Sequence, residues 1–403
     1  MKKKAQNLIS HPIGQSIGIV SSATKLPSLE EFLACGWLLQ LNSRQILVGW
    51  GSARNQARNL AQNQSEPVSF QASLFAPPFY LEEATEASKL WRSTSNWSLV
   101  DRGEFISFVL AGVGHNVNAS QQGFQWVEPS RGDFDKQWQE IRSGMQARGL
   151  QKAVPVVFAR TCAELNSQRR LSILQNLVRL PASLFIYGYW SSTLDSGLLG
   201  ATPEVLFTKI GEEPLETVAL AGTRGKSTGP DAGEQLFNDP KERHEHQLVI
   251  DDIRSVLEKV GEVAVDETGV VELPTLFHLK TPIRVRLNRP MGMEMLARLM
   301  HPTPALGVAP RALGFTEMRR WENTVVDRRQ YGAPFGAAFE FVDETTGHKT
   351  SIQHVLVAIR NIQWQGDDLV LGSGCGIVPA SDPDREWQEL SLKRESVKRM
   401  LGL

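Results

Sequence analysis

Two pairs of glutamates, each spaced three apart, are the residues of this chain best placed to do chemistry. Glu242 and Glu245 lie in NDPKERHEHQLVIDDI, and Glu386 and Glu389 lie in SDPDREWQELSLKRE. Each pair follows Asp-Pro, a good N-cap and then a residue suited to the first helical position. A spacing of three puts both carboxylates of a pair on one helical face. The stripe continues through Val249, Ile253, Val256 and Val260 in the first segment, and through Leu390, Val397 and Leu401 in the second. The acids therefore top core-facing stripes. Burying four carboxylates is costly unless a cation or hydrogen-bond donors neutralise them. A Mg²⁺ ion between two helices, its shell completed by an anionic substrate, is the economical arrangement. A plainer reading stays open for either pair alone: Glu242 closing a capping box on Asp239, or first-turn acids complementing the helix dipole.

A glycine-rich turn leads into the second acidic segment. In GSGCGIVPASDPDREWQE, Gly372, Gly374 and Gly376 stand at alternate positions after a strand. Such glycines let backbone amides approach an anion closely. The same turn also serves as a tight strand-to-helix link that binds nothing. Beside a metal-binding helix, it suits a substrate bearing carboxylates.

These residues need a scaffold, and the chain is long enough to supply one. It has 403 residues, 41% hydrophobic and 22% charged, as expected of a globular protein with a large core. With 43 basic and 44 acidic residues, charge gives no reason to expect a nucleic-acid partner. Cys35, Cys162 and Cys375 show no metal-like spacing, which suits a reducing, cytoplasmic setting. The start MKKKAQNLISHPIGQSIGIV has the charge of a signal peptide but not its unbroken apolar stretch. No run of 18 apolar residues suggests a membrane span.

The first 130 residues read as mostly β. WLLQLNSRQILVGWGS predicts two strands around Asn42-Ser43, and FISFVLAGVG predicts a third. Phe134 to Arg148 has helical spacing of Phe134, Trp138, Ile141 and Met145. Beyond it, AVPVVFAR and SLFIYGYW are strand-like and SILQNLVRL is helical. EVLFTKIG and LETVALAG read as paired strands turning at Glu212-Glu213. The stretch from Ala337 to Val378 reads as a three-stranded meander, with turns at 343–348 and at Gln365–Asp368. Close strand pairs imply antiparallel hairpins. The expected fold is α+β, with large antiparallel sheets packed face to face and helices outside. Residues 1–130 form its β-rich N-terminal part and 131–403 its catalytic region, with the seam between Gln121 and Asp133.

From about Phe134 onward the chain resembles the chorismate-utilising enzymes. That group includes isochorismate, anthranilate, aminodeoxychorismate and salicylate synthases. The resemblance rests on LAGTRGKS, KERHEHQLVIDDI, PTLFHLKTP, HPTPALGVAP, QYGAPFG, VAIRN and GSGCGIVPASDPDREWQE, in the family's order. Ala221 stands where one type of aminodeoxychorismate synthase carries a lysine nucleophile. HPTPALGVAP and the Arg-His-Glu-His run are most like the isochorismate synthases. The resemblance implies a cytoplasmic monomer that takes chorismate with Mg²⁺ and needs no obligatory amidotransferase subunit. The product would feed menaquinone or siderophore synthesis, alternatives the residues leave open.

Making isochorismate requires water delivered to ring carbon C2 while the C4 hydroxyl leaves. A base activates the water and an acid protonates the leaving oxygen. The resemblance implies Lys152 as base and Glu204, in ATPEVLF, as acid. It departs from the family in this strand. Matching on Lys152 puts Val157 where an arginine is usual, and matching on Arg160 puts Pro155 in place of the base. The resemblance further implies that Arg360 clamps a carboxylate, Tyr331 bonds another and His301 lies near the ring hydroxyls. Lys393 reaches the substrate or pairs with a glutamate. Thr217, Ala221, Gly222 and Thr223 line the pocket, as do Gly374 and Gly376. Glu245 and Glu389 touch Mg²⁺ directly, and Glu242 and Glu386 through water. A salicylate synthase, an ammonia-using anthranilate synthase and a non-catalytic chorismate-binding paralogue remain alternatives.

Overall fold

Apolar runs bounded by polar turns give antiparallel strands here, and the strands assemble into two large sheets. The computed structural model describes residues 26–51, 72–83, 90–94, 96–114, 123–226, 229–273, 276–322, 327–342 and 349–403. The turn expected at 343–348 and the leader-like start of the chain lie outside these residues.

In chain order the first strands are β1 (Cys35–Gln40), β2 (Gln45–Trp50), β3 (Ser73–Phe75), β4 (Trp91–Ser93) and β5 (Asn96–Asp101). Next come β6 (Lys152–Ala153), β7 (Val156–Cys162), β8 (Phe185–Ser191), β9 (Ser196–Thr202), β10 (Val205–Ile210) and β11 (Leu215–Gly225). Then follow β12 (Gly261–Val265), β13 (Gly269–Glu272), β14 (Leu276–Leu287) and β15 (Val308–Ala309). The last are β16 (Pro334–Val342), β17 (Lys349–Val357), β18 (Asn361–Gln365) and β19 (Asp368–Gly374). One sheet runs β5-β2-β1-β8-β9-β18-β19-β7. The other runs β12-β14-β11-β10-β17-β16-β3-β4, with β13 also on β14. β6 and β15 pair apart from both.

The sheets face each other across a core of Trp37, Leu39, Tyr187 and Leu198 from one and Val205, Val218, Phe335 and Leu356 from the other. The helices are α1 (Leu29–Ala34), α2 (Arg102–Leu110), α3 (Arg131–Ala147), α4 (Ser167–Leu177), α5 (Ala232–Asn238) and α6 (Pro240–Leu257). They continue with α7 (Met293–Met300), α8 (Gly314–Glu322) and α9 (Pro383–Leu401). α6 and α7 bury Val249, Ile253, Leu296 and Met300 on the outer face of the second sheet. α4 and α9 bury Ile173, Leu174, Val397 and Leu401 against the first. The N-terminal strands complete both sheets, since β1 pairs with β8 and β3 with β16.

Three expectations need correction. FISFVLAGVG is helical, not a strand: Asp101 accepts hydrogen bonds from the amides of Gly103 and Glu104 and starts α2 there. AVPVVFAR is two strands, because Pro155 has no N–H to continue a ladder. The C-terminal meander is four strands, not three. Its middle run breaks at Ala358–Arg360, so β16 and β17 lie in one sheet and β18 and β19 in the other.

Candidate active site

α6 begins because Asp239 accepts from the amides of Lys241 (2.9 Å) and Glu242 (3.2 Å), with Pro240 in the first turn. α9 begins the same way: Asp382 accepts from Asp384 (3.1 Å) and Arg385 (3.0 Å), and Pro383 follows. The stripes below are buried, including Glu242, Glu245 and Glu386. Glu242 does not turn back to close a capping box. Its Oε2 instead accepts from the Thr223 amide at 2.9 Å.

Lys241 stands between the two helices. Its ammonium is 2.8 Å from Glu386, 3.0 Å from Glu242 and 3.9 Å from Glu245. Glu245 also lies 3.2 Å from the Lys152 ammonium, and Glu389 lies 2.7 Å from that of Lys393. Burial pushes the Glu242 and Glu386 carboxyls well up, reinforced by Glu245 and Glu389 respectively. Burial also acts on Glu245, but Lys152 and Lys241 outweigh it and hold that carboxyl low. Among the described residues no three acids, histidines or cysteines form a ready-made chelate. The donor chemistry nonetheless fits a hard divalent ion, because the carboxylates already surround an ammonium that stands in for a cation.

Beside this cluster lies a cavity of about 740 Å³, its mouth included. Apolar wall comes from Val154, Leu220, Leu276, Ala305, Leu306 and Ile359. Glu245 and Lys393 reach it from the acidic helices. Lys393 also donates to the Gly374 carbonyl at 2.8 Å. Gly374 and Gly376 line the floor, and there the glycine is a steric requirement. A Cβ on Gly376 would sit 2.0 Å from Glu245 Oε1.

Another wall, which meets the acidic cluster at Thr223 and Glu242, is built from strand ends. Ala221, Gly222 and Thr223 line it where β11 bulges against β14. Gly222 has φ +76°, which suits it to the bulge. Glu204 enters from the Thr202–Glu204 turn, its amide bonded to Thr202 Oγ1 at 3.1 Å. Burial raises its carboxyl to about 7, although Lys152, Arg360 and Lys393 pull it down. Arg360 sits where the chain crosses between sheets, with φ +57°, a strained value for a residue with a side chain. Burial lowers its guanidinium to about 10. Tyr331 completes the wall, and burial raises its phenol.

The structure adds two residues to those expected. His278, within PTLFHLKTP, lines the cavity with Nε2 3.0 Å from Arg360 Nη2. A guanidinium only donates, so Nε2 accepts and Nδ1 carries the proton. Nδ1 lies 3.1 Å from the Gly222 carbonyl and 3.0 Å from Thr223 Oγ1. Burial, with Arg360 and Lys393, drives this imidazole far below its usual value and keeps it neutral. Its sequence signal is a histidine inside an otherwise apolar buried strand. Lys241 is the other addition. Its signal was a lysine one residue before an acidic pair on a helix's first turn.

Of the residues expected to catalyse or to bind substrate, three are not on the cavity surface, and of the four expected metal ligands only Glu245 reaches it. Thr217 lies six residues before Thr223, about 20 Å along an extended strand, and its hydroxyl donates to the Leu206 carbonyl at 2.6 Å. His301 faces the Phe79 carbonyl at 2.7 Å and packs on the Phe79 ring, away from any ring hydroxyl of a cavity ligand. Lys152 is fully buried one layer behind the wall. Its ammonium donates to the Pro304 carbonyl at 2.7 Å and meets the cavity only through Glu245. Pro155 does not line the cavity, and Arg160 is exposed beside Asp368 at 3.6 Å.

Residues 110–402 match the family described as chorismate binding enzyme, and the chain belongs to that family. It is 39% identical over 211 residues to the salicylate biosynthesis isochorismate synthase of Pseudomonas aeruginosa, covering 51% of this chain and 42% of that one. It is 33% identical over 224 residues to isochorismate synthase EntC of Escherichia coli, covering 54% of each. The chain thus spans about half the length of these relatives. Its fold matches MenF, the menaquinone-specific isochorismate synthase of Escherichia coli, with TM-score 0.69 and 19% identity over 94% of this chain and 92% of that one. Anthranilate synthase component I of Streptococcus pneumoniae matches at TM-score 0.62 and 15% identity, over 96% and 95%. No helix among the described residues is long and apolar enough to cross a membrane.

Proposed function

We propose that this chain is an isochorismate synthase. Water adds at C2 of chorismate, the ring double bonds shift, and the C4 hydroxyl leaves as water after taking a proton. The observation that carries this reading is Glu204: a buried carboxyl on the cavity, held near 7, that keeps a proton to give. The relatives named for this reaction support the same assignment.

The roles follow from chemistry. Arg360 receives a substrate carboxylate in a site where burial strengthens the pairing. His278, fixed in one tautomer, keeps the Arg360 fork in place. The Tyr331 hydroxyl donates to a second carboxylate. Lys152, which meets the cavity through Glu245, takes the proton from water when its amine is neutral and Glu245 has moved aside. Glu242, Glu245, Glu386 and Glu389 would hold Mg²⁺, which supplies positive charge to an otherwise repelled dianionic substrate. Thr223 ties this acidic cluster to the cavity through its amide.

The test is product analysis after incubation with chorismate and Mg²⁺. Isochorismate as the product supports the proposal. Salicylate with pyruvate, or anthranilate when ammonia is present, would assign a sister activity. Unchanged chorismate over hours, with measurable binding, would assign a binding protein.

A further inference from the structure

We infer that Arg328, together with Glu322 and Tyr80, is a positioning device for Lys152. The inference rests on the proposal that Lys152 is the base. It begins with a problem of support. Lys152 belongs to a strand of two residues, cut short because Pro155 has no amide hydrogen to offer. The segment it faces, Thr303 to Gly307, is a turn rather than a strand. Backbone pairing holds Lys152–Ala153 to Val308–Ala309 and to Ile377, but it does not join Val154 to the 303–307 turn, the two pieces of cavity wall on either side.

Side chains tie those two pieces together. Lys152 donates to the Pro304 carbonyl at 2.7 Å. Two residues further along each segment stand Val154 and Leu306, both on the cavity wall. Arg328 donates to the carbonyl of Val154 at 2.6 Å and to that of Leu306 at 2.9 Å. One guanidinium thus spans the same two segments that the Lys152 ammonium spans. Its Nε bonds Glu322 at 2.7 Å, and Tyr80 donates its hydroxyl to the other oxygen of Glu322. The Phe79 ring lies 4.4 Å beneath the guanidinium, and His301 packs on that ring in an edge-on contact. The Arg328 carbonyl accepts from the Tyr331 amide at 2.8 Å, so the device also reaches the substrate-facing tyrosine.

Arg328 and Glu322 are each 1% exposed. A buried ion pair adds little net stability compared with well-packed apolar residues, because both charges are stripped of water. Geometry is what this pair supplies. The guanidinium fork is planar, so it fixes two carbonyls and a carboxylate in one plane, which a lysine cannot do.

The experiment compares kcat and KM for chorismate in the full chain and in Arg328→Lys, Lys152→Gln and their combination, with folding followed by thermal melting. Arg328→Lys keeps the charge but loses the fork. A base displaced by an ångström lowers kcat about 10- to 100-fold, so that loss is expected with KM near the parent value. In the Lys152→Gln background Arg328→Lys should add no further loss, because the group it positions is gone. Parental kcat in Arg328→Lys, or losses that multiply in full, would overturn the positioning role. Parental turnover in Lys152→Gln would instead sink the assignment of the base. If Arg328→Lys fails to fold, Tyr80→Phe takes its place, since it removes one hydroxyl from Glu322. It should show a smaller fall in kcat at constant KM, absent from the Lys152→Gln background, and an unchanged kcat would count against the device.

Discussion

The two walls of the cavity are held by different means. The wall that carries Glu204, Thr223, His278 and Arg360 is made of paired strand ends, with β11 and β14 in register from Leu215 to Gly225 apart from one bulge. The wall that backs Lys152 is made of turns and two-residue strands with only short backbone pairing, and side-chain bonds from Lys152 and Arg328 fasten the rest. In the first wall, backbone bonds hold the shape and side chains are free to do chemistry. In the second, the side chains that hold the shape are part of the chemical apparatus. A substitution in the first should remove one function cleanly. A substitution in the second should disturb its neighbours as well.

The largest effect is expected in the first wall. Glu204→Gln should lower kcat about 10²- to 10⁴-fold, the usual size of general-acid catalysis, while chorismate binding measured by calorimetry stays close to parental. The pH profile sharpens the point. Glu204 must be protonated to act and its carboxyl is raised to about 7, so kcat should fall as pH rises through that value. A rate that stays flat to pH 9 would place the acid elsewhere.

Next in size is the floor between the walls. Gly376→Ala puts a methyl group where Glu245 now lies. Displacing a metal-site carboxylate in this way should weaken Mg²⁺ affinity about 10- to 100-fold, read by calorimetry on the folded variant. Unaltered affinity would remove Glu245 from the cation site.

The smallest expected effect is on stability. Lys241→Met deletes the ammonium that neutralises three buried carboxylates. In chelator this variant should melt several degrees below the parent, since uncompensated buried charge is destabilising. Added Mg²⁺ should raise its melting temperature by more than it raises the parent's. Equal shifts in both would show that Lys241 and the cation do not share a site.

The same contrast explains what the sequence revealed. Both acidic helices were legible because Asp-Pro is a strong local signal and the stripes below have helical period. Glu204, Thr223 and Arg360 were legible from motifs set at strand ends, and the structure brings them to one cavity. What local pattern does not encode is how distant pieces meet. Thr217 resembles Thr223 on the same strand, yet six residues of rise separate them. His301 sits in a recognisable run but faces Phe79, a residue 222 positions away in sequence. The break at Arg360 falls at the polar pair Arg360-Asn361 with no glycine or proline to mark it, and its positive φ reveals the crossing between sheets. α2 was hidden because its apolar residues suit a buried strand as well as a short helix. The cap at Asp101 lay just upstream of the stretch that read as a strand.

The central claim is that this cavity adds water to chorismate, and an isotope label tests it most directly. The protein, chorismate and Mg²⁺ are incubated in water enriched in ¹⁸O, and the product is isolated and weighed by mass spectrometry. The account predicts isochorismate carrying one ¹⁸O at C2, with the original C4 oxygen lost to solvent. Isochorismate without label, or no isochorismate at all, would contradict it.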